Sequence, residues 1–146
     1  MKSRSAFTYI EVILVVVLLT MFSLPLLFNY LNVSNKYHLQ AAVTDVVDAV
    51  RTAHVYSREG QKQEAWGVHT VNENTFEVIR GSSQQFTVEA TKVIPNDIKF
   101  KNAFTVWFTL GTGETVADQE ILLESQKGQV GQIIVYKTGV LDIKIK

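Results

Sequence analysis

Few residues in this chain are spaced for chemistry, and the one that stands apart is Glu11. It is the sole charged residue in the run from Phe7 to Leu31, FTYIEVILVVVLLTMFSLPLLFNYL. An ionised carboxylate in apolar surroundings is costly unless a cation meets it, so by default it marks a function with a partner. The other candidates carry less. His38, His54 and His69 lack metal-ligand spacing, and His38 and His54 lie too far apart on one helix to share an ion. There is no cysteine, hence no thiolate metal site and no disulfide framework. Gly111-Thr112-Gly113 is too short to cradle a phosphate, and no Lys-Ser/Thr pair follows it. No serine sits in a nucleophile-elbow setting. Asp118, Glu120 and Glu124 fit no standard calcium loop and read as a solvated strand edge. Trp66 and Trp107 alternate with apolar neighbours, as core residues do. The pattern predicts no catalytic residue, no metal and no cofactor; the chain reads as a non-enzyme.

The elements that position these residues begin with the apolar run itself. A helix of ~20 apolar residues spans the ~30 Å hydrocarbon core of a bilayer, so the run predicts a single-pass transmembrane helix. Lys2 and Arg4 precede it, and no basic residue follows until Lys36. That asymmetry predicts an amino terminus in the cytoplasm and a head outside the cytoplasmic membrane. A cleaved secretory signal would have a shorter apolar region and a small-residue cleavage site after it. Within the run, Pro25 removes a backbone donor and predicts a helix kink, with Thr20 and Ser23 near enough to satisfy freed backbone groups.

From Ser34 the composition turns polar, with Leu39, Val43, Val46, Val47 and Val50 on one helical face. This predicts an amphipathic continuation to about Ser57, stopping before Gly60. Strand patterns follow: Ala65 to Val71, then Thr75 to Arg80 after the turn Asn72-Glu73-Asn74, then Gln85 to Val93. Shorter ones cover Ile98 to Phe100, Phe104 to Leu110, Glu120 to Glu124, Gln132 to Tyr136 and Val140 to Ile145, the last two joined by Lys137-Thr138-Gly139. The expected fold class is α+β. A long N-terminal helix, transmembrane in its first half and amphipathic in its second, packs on an antiparallel β-sheet head.

The residues Ala6-Phe7-Thr8-Tyr9-Ile10-Glu11-Val12, after the short basic leader MKSRSA, resemble the processing motif of type IV prepilins and of type II secretion pseudopilins. The resemblance implies cleavage between Ala6 and Phe7 by a prepilin peptidase/methyltransferase and N-methylation of Phe7. Glu11, fifth residue of the mature chain, would then meet the Phe7 amine of a neighbouring subunit during assembly. One departure is Ala6, where the family usually has Gly. The expected segments are a leader (1–6), a transmembrane assembly half of the stem (7–33), its amphipathic half (34–58) and a β-rich head (59–146). The head is similar in pattern to H-type pseudopilins and FimT-type minor pilins. The implied function is a minor structural subunit of a pilus or secretion pseudopilus. Its implied partners are other pilin or pseudopilin subunits, the peptidase, an inner-membrane assembly platform and membrane lipid.

Charge bears on one further partner. Basic and acidic side chains number 14 each, and loss of Lys2 and Arg4 leaves the mature chain slightly acidic, so no global basic field invites nucleic acid. Lys137, Lys144 and Lys146 gather at the closing hairpin, where they could touch DNA phosphates in a minor pilin for DNA uptake; protection of a strand edge is the preferred reading. A membrane-anchored extracytoplasmic binding module is the alternative from a different class.

Overall fold

In the computed structural model the described residues are 8–145, with the backbone alone for 23–33. The chain comprises α1 (Tyr9–Arg58), a 3₁₀ turn (Gln61–Gln63) and eight strands. These are β1 (Ala65–Asn72), β2 (Thr75–Gly81), β3 (Phe86–Val93), β4 (Ile98–Phe100), β5 (Thr105–Phe108), β6 (Gln119–Ser125), β7 (Val130–Val135) and β8 (Leu141–Ile145). Two compact units divide after Ser34.

In the second unit, α1 buries the face made by Leu39, Ala42, Val43, Val46, Val47, Ala49, Val50 and Ala53. The spacing of three and four places these side chains on one stripe. They join Val68, Phe76, Val106 and Phe108, and Ile121, Leu123, Ile133 and Val135, in a single core. Full burial of each valine, leucine, isoleucine or phenylalanine side chain here contributes about 1.5–3 kcal/mol. The helix ends at Arg58, and Gly60, with φ 68°, takes the left-handed conformation that glycine reaches without strain.

The strands form two antiparallel four-stranded sheets, ordered β3-β2-β1-β5 and β4-β6-β7-β8. This corrects the expectation of one antiparallel sheet. Hairpin signals fix the neighbours β1–β2 and β7–β8, but β1 also takes β5 and β6 also takes β4, pairings that no local turn encodes. Trp66 is buried in the core, whereas Trp107 is half-buried with its ring against Gly67, where a Cβ would lie 3.0 Å from it.

The first unit corrects the expectation further. Among the described residues no helix is long and apolar enough to cross a membrane. Of the apolar run, the side chains described are those of Tyr9 to Phe22, with Glu11 in the first turn of α1. The transmembrane half of the helix, the single-pass anchor and the topology with a cytoplasmic amino terminus and an external head are therefore not supported. The membrane anchor of the alternative binding module is not supported either.

Candidate functional site

The segment from Thr8 to Phe22 is where sequence and structure give the chain its most unusual surface. Thr8 precedes the first helical residue, and Glu11 is the third position inside the helix. Glu11 Oε2 accepts hydrogen bonds from the Thr8 N–H at 2.8 Å and from Thr8 Oγ1 at 2.9 Å, while the Glu11 N–H donates to the Thr8 carbonyl at 3.0 Å. A side chain three residues in that returns to the cap residue is half of a capping box, and a carboxylate there also suits the positive end of the helix dipole. The pattern Thr8-Tyr9-Ile10-Glu11 carries this signal, and reading Glu11 only as an acid seeking a neighbour overlooked it.

Beyond the cap the helix is apolar on every side and exposed. Tyr9 is 83% exposed, Ile10 73%, Leu14 58%, Met21 68% and Phe22 72%, and Ile13 and Leu18, the least exposed of the large apolar residues here, are each 45%. At 100° per residue a run this long leaves no polar face. Thr20 turns its hydroxyl onto the Val17 carbonyl at 2.8 Å. Ala6 and Phe7, the expected cleavage and methylation positions, lie outside the described residues, as do Lys146 and the side chain of Pro25.

Lys137 sits in the turn before β8, where its backbone N–H donates to Asp118 Oδ1 at 2.7 Å. Lys144 lies near the far end of β8 and pairs with Asp142 at 3.1 Å, which raises its pKa.

The remaining chemistry-bearing residues are engaged separately. His38 Nδ1 meets Asp97 Oδ2 at 2.8 Å, tying α1 to the loop before β4. His69 faces its cross-strand partner Glu77 at 3.4 Å, beneath the edge of Phe86. His54 packs on Phe108, ring centroids 5.3 Å apart; burial, and then the charge of Arg58, hold its imidazole below the usual histidine value. Gly111-Thr112-Gly113 closes a turn whose Gly111 N–H donates to the Ser57 carbonyl at 2.8 Å. Asp118, Glu120 and Glu124 are dispersed: Glu120 takes Gln132, and Glu124 lies 3.7 Å from Lys101. Among the described residues, no group of three or more His, Asp or Glu side chains could hold a metal ion.

One charged network lies on the first sheet. Arg80 binds Glu89 and Glu64, and Lys62 reaches Glu89 at 3.0 Å. Arg80, more than Lys62, holds the Glu89 carboxyl below its ordinary value. Beside it a groove of about 290 Å³ is lined by Tyr56, Trp66 and Val78, with Asp48 and Lys92 also on its walls. It pairs no nucleophile with a base.

Comparison of the chain with protein-family models, curated proteins and solved structures gives no match.

Proposed function

We propose that the chain is a non-enzymatic structural subunit, processed in the manner of type IV prepilins and assembled with similar subunits into a filament of the pilus or pseudopilus kind. The observation that carries this reading is the exposed apolar surface of Tyr9 to Phe22. Monomeric proteins rarely leave a contiguous apolar area of this extent uncovered, and other helices of the same kind would cover it. The sheets and the amphipathic part of α1 already share a core, so the head folds around its own residues and leaves the apolar segment for assembly.

Glu11 sets the register. In the single chain its carboxylate rests on Thr8 and is open to water. In a bundle of apolar helices it loses water, and a neighbour's Phe7 amine, freed by cleavage after Ala6, would neutralise it. A misplaced neighbour would leave the charge unpaired, a cost of several kcal/mol.

Glu11→Val tests the proposal. The variant keeps the apolar helix and the head. It is expected to be cleaved, to fold, and to remain in the unassembled pool when sedimentable filaments are separated from free subunits. Incorporation at the wild-type level would contradict the proposal.

A further inference from the structure

The second sheet ends on β8, whose outer edge takes no strand among the described residues. Strand edges are usually blunted by a bulge, a proline or charged side chains, lysine above all. The corresponding edge of the first sheet, β3, has such a device: Val78 pairs Ala90 while Ile79 pairs Val88, so Glu89 is bulged out. β8 pairs β7 with no register shift, from Gly131↔Ile145 to Val135↔Leu141. It contains no proline, and Lys144, which could guard the edge, is held by Asp142 of the same strand at 3.1 Å.

The direction of its backbone groups follows from the turn. The Tyr136 N–H donates to the Val140 carbonyl at 2.9 Å, so Tyr136 and Val140 form a hydrogen-bonded pair. Such pairs alternate along an antiparallel ladder. Asp142 and Lys144 therefore bond inward to β7. Leu141, Ile143 and Ile145 direct their N–H and C=O groups outward, to the open edge.

We infer that β8 pairs antiparallel with β8 of a second copy of this chain, about a two-fold axis at Ile143, joining the two four-stranded sheets into one. The sequence Leu-Asp-Ile-Lys-Ile is self-complementary about its centre. Ile143 meets its own copy, Leu141 meets Ile145, and Asp142 meets Lys144 twice. Directly opposed residues share a face in an antiparallel pair, and every one of these matches obeys that rule. On one face the pairing covers Ile143 and Ile145, each 40% exposed despite lying on the same side as the core residues Ile133 and Val135. On the other face it replaces the in-strand Asp142–Lys144 ion pair with two between copies. Closed two-fold pairing is the commonest symmetry between identical subunits.

Two five-residue edges bury far less than the ~1,200 Å² of a stable interface. Free subunits therefore pair weakly, and any arrangement that raises their local concentration strengthens the contact. The inference stands on β8 alone and does not depend on what the apolar segment of α1 does.

The chain has no cysteine, which gives a clean cross-linking test. Two opposed residues in a hydrogen-bonded antiparallel pair have Cα atoms ~5.5 Å apart, inside the range a disulfide spans. In the full chain, kept dispersed in mild detergent, Ile143→Cys is expected to form a disulfide-linked dimer under gentle oxidation. Val116→Cys, at a residue 91% exposed and outside the strands, reports random collision. Cross-linking through Cys at 143 should run at least tenfold faster. Adding Asp142→Lys should bring the rate down to the collision level, and adding Lys144→Asp to that variant should restore it. Equal rates at the two cysteine positions, or a rate indifferent to Asp142→Lys, would overturn the inference. The charges lie on the surface, so the swapped variant also controls for folding.

Discussion

Replacing Ser57 with alanine should destabilise the head by about 1–3 kcal/mol. Ser57 is fully buried in the last turn of α1. Its Oγ accepts the Trp66 N–H at 2.7 Å and donates to the Phe108 carbonyl at 3.2 Å, so one hydroxyl ties the helix end to β1 and β5. Trp66 is only 3% exposed, and water cannot readily replace the lost acceptor. A buried donor left unsatisfied costs about 1–3 kcal/mol, a large share of the ~5–15 kcal/mol that holds a typical domain together. Thr52→Ala is the matched control. That hydroxyl is exposed and donates to the Asp48 carbonyl at 2.7 Å, so its loss should fall within ~0.5 kcal/mol of zero. Urea unfolding followed by tryptophan fluorescence gives both values, with the slope against denaturant unchanged. If Ser57→Ala were as mild as Thr52→Ala, the hydroxyl would not be the bolt between helix and sheets described here.

Gly131→Ala tests the contact of β7 with α1: a Cβ there would lie 2.6 Å from Val43 Cγ2, and the same urea assay should show a loss of about 1–3 kcal/mol. His54 makes stability depend on pH. Burial, then Arg58, lowers its folded pKa, so the unfolded chain takes up the proton first as pH falls through about 6.5. The His54 contribution to the dependence lowers stability from about pH 7 downward until the folded imidazole titrates too, and is flat above that window. His54→Gln should flatten the slope of unfolding free energy between pH 7 and pH 5.5, and an unchanged slope would show that the imidazole does not titrate differently on folding.

Local features of the head were legible because they are written in short-range chemistry. The alternation from Thr75 to Arg80, the Asn72-Glu73-Asn74 turn and the Lys137-Thr138-Gly139 turn mark strands that the structure places within a residue or two. The face of Leu39, Val43, Val46, Val47 and Val50 is visible in its spacing and is buried. The partition into two sheets was not legible, because it depends on β1 reaching β5 and β4 reaching β6 across intervening chain. Trp107 illustrates a further limit: alternation places a side chain on one face of a sheet without saying whether that face is covered. For the candidate site, apolarity marks Tyr9 to Phe22 as unusual, but hydropathy carries no signal of what covers it. The cap at Thr8 is written in the Thr-x-x-Glu spacing, but a lone acid in an apolar run points equally to a neighbouring cation, so the spacing does not by itself decide between the two.

The claim that this chain is a processed assembly subunit is tested most directly by intact mass. The protein is produced in cells with an active prepilin peptidase and recovered from the assembled fraction. The account predicts a chain beginning at Phe7 and carrying one added methyl group. A chain that still begins at Met1, beside a peptidase shown to cut another prepilin in the same cells, would contradict it.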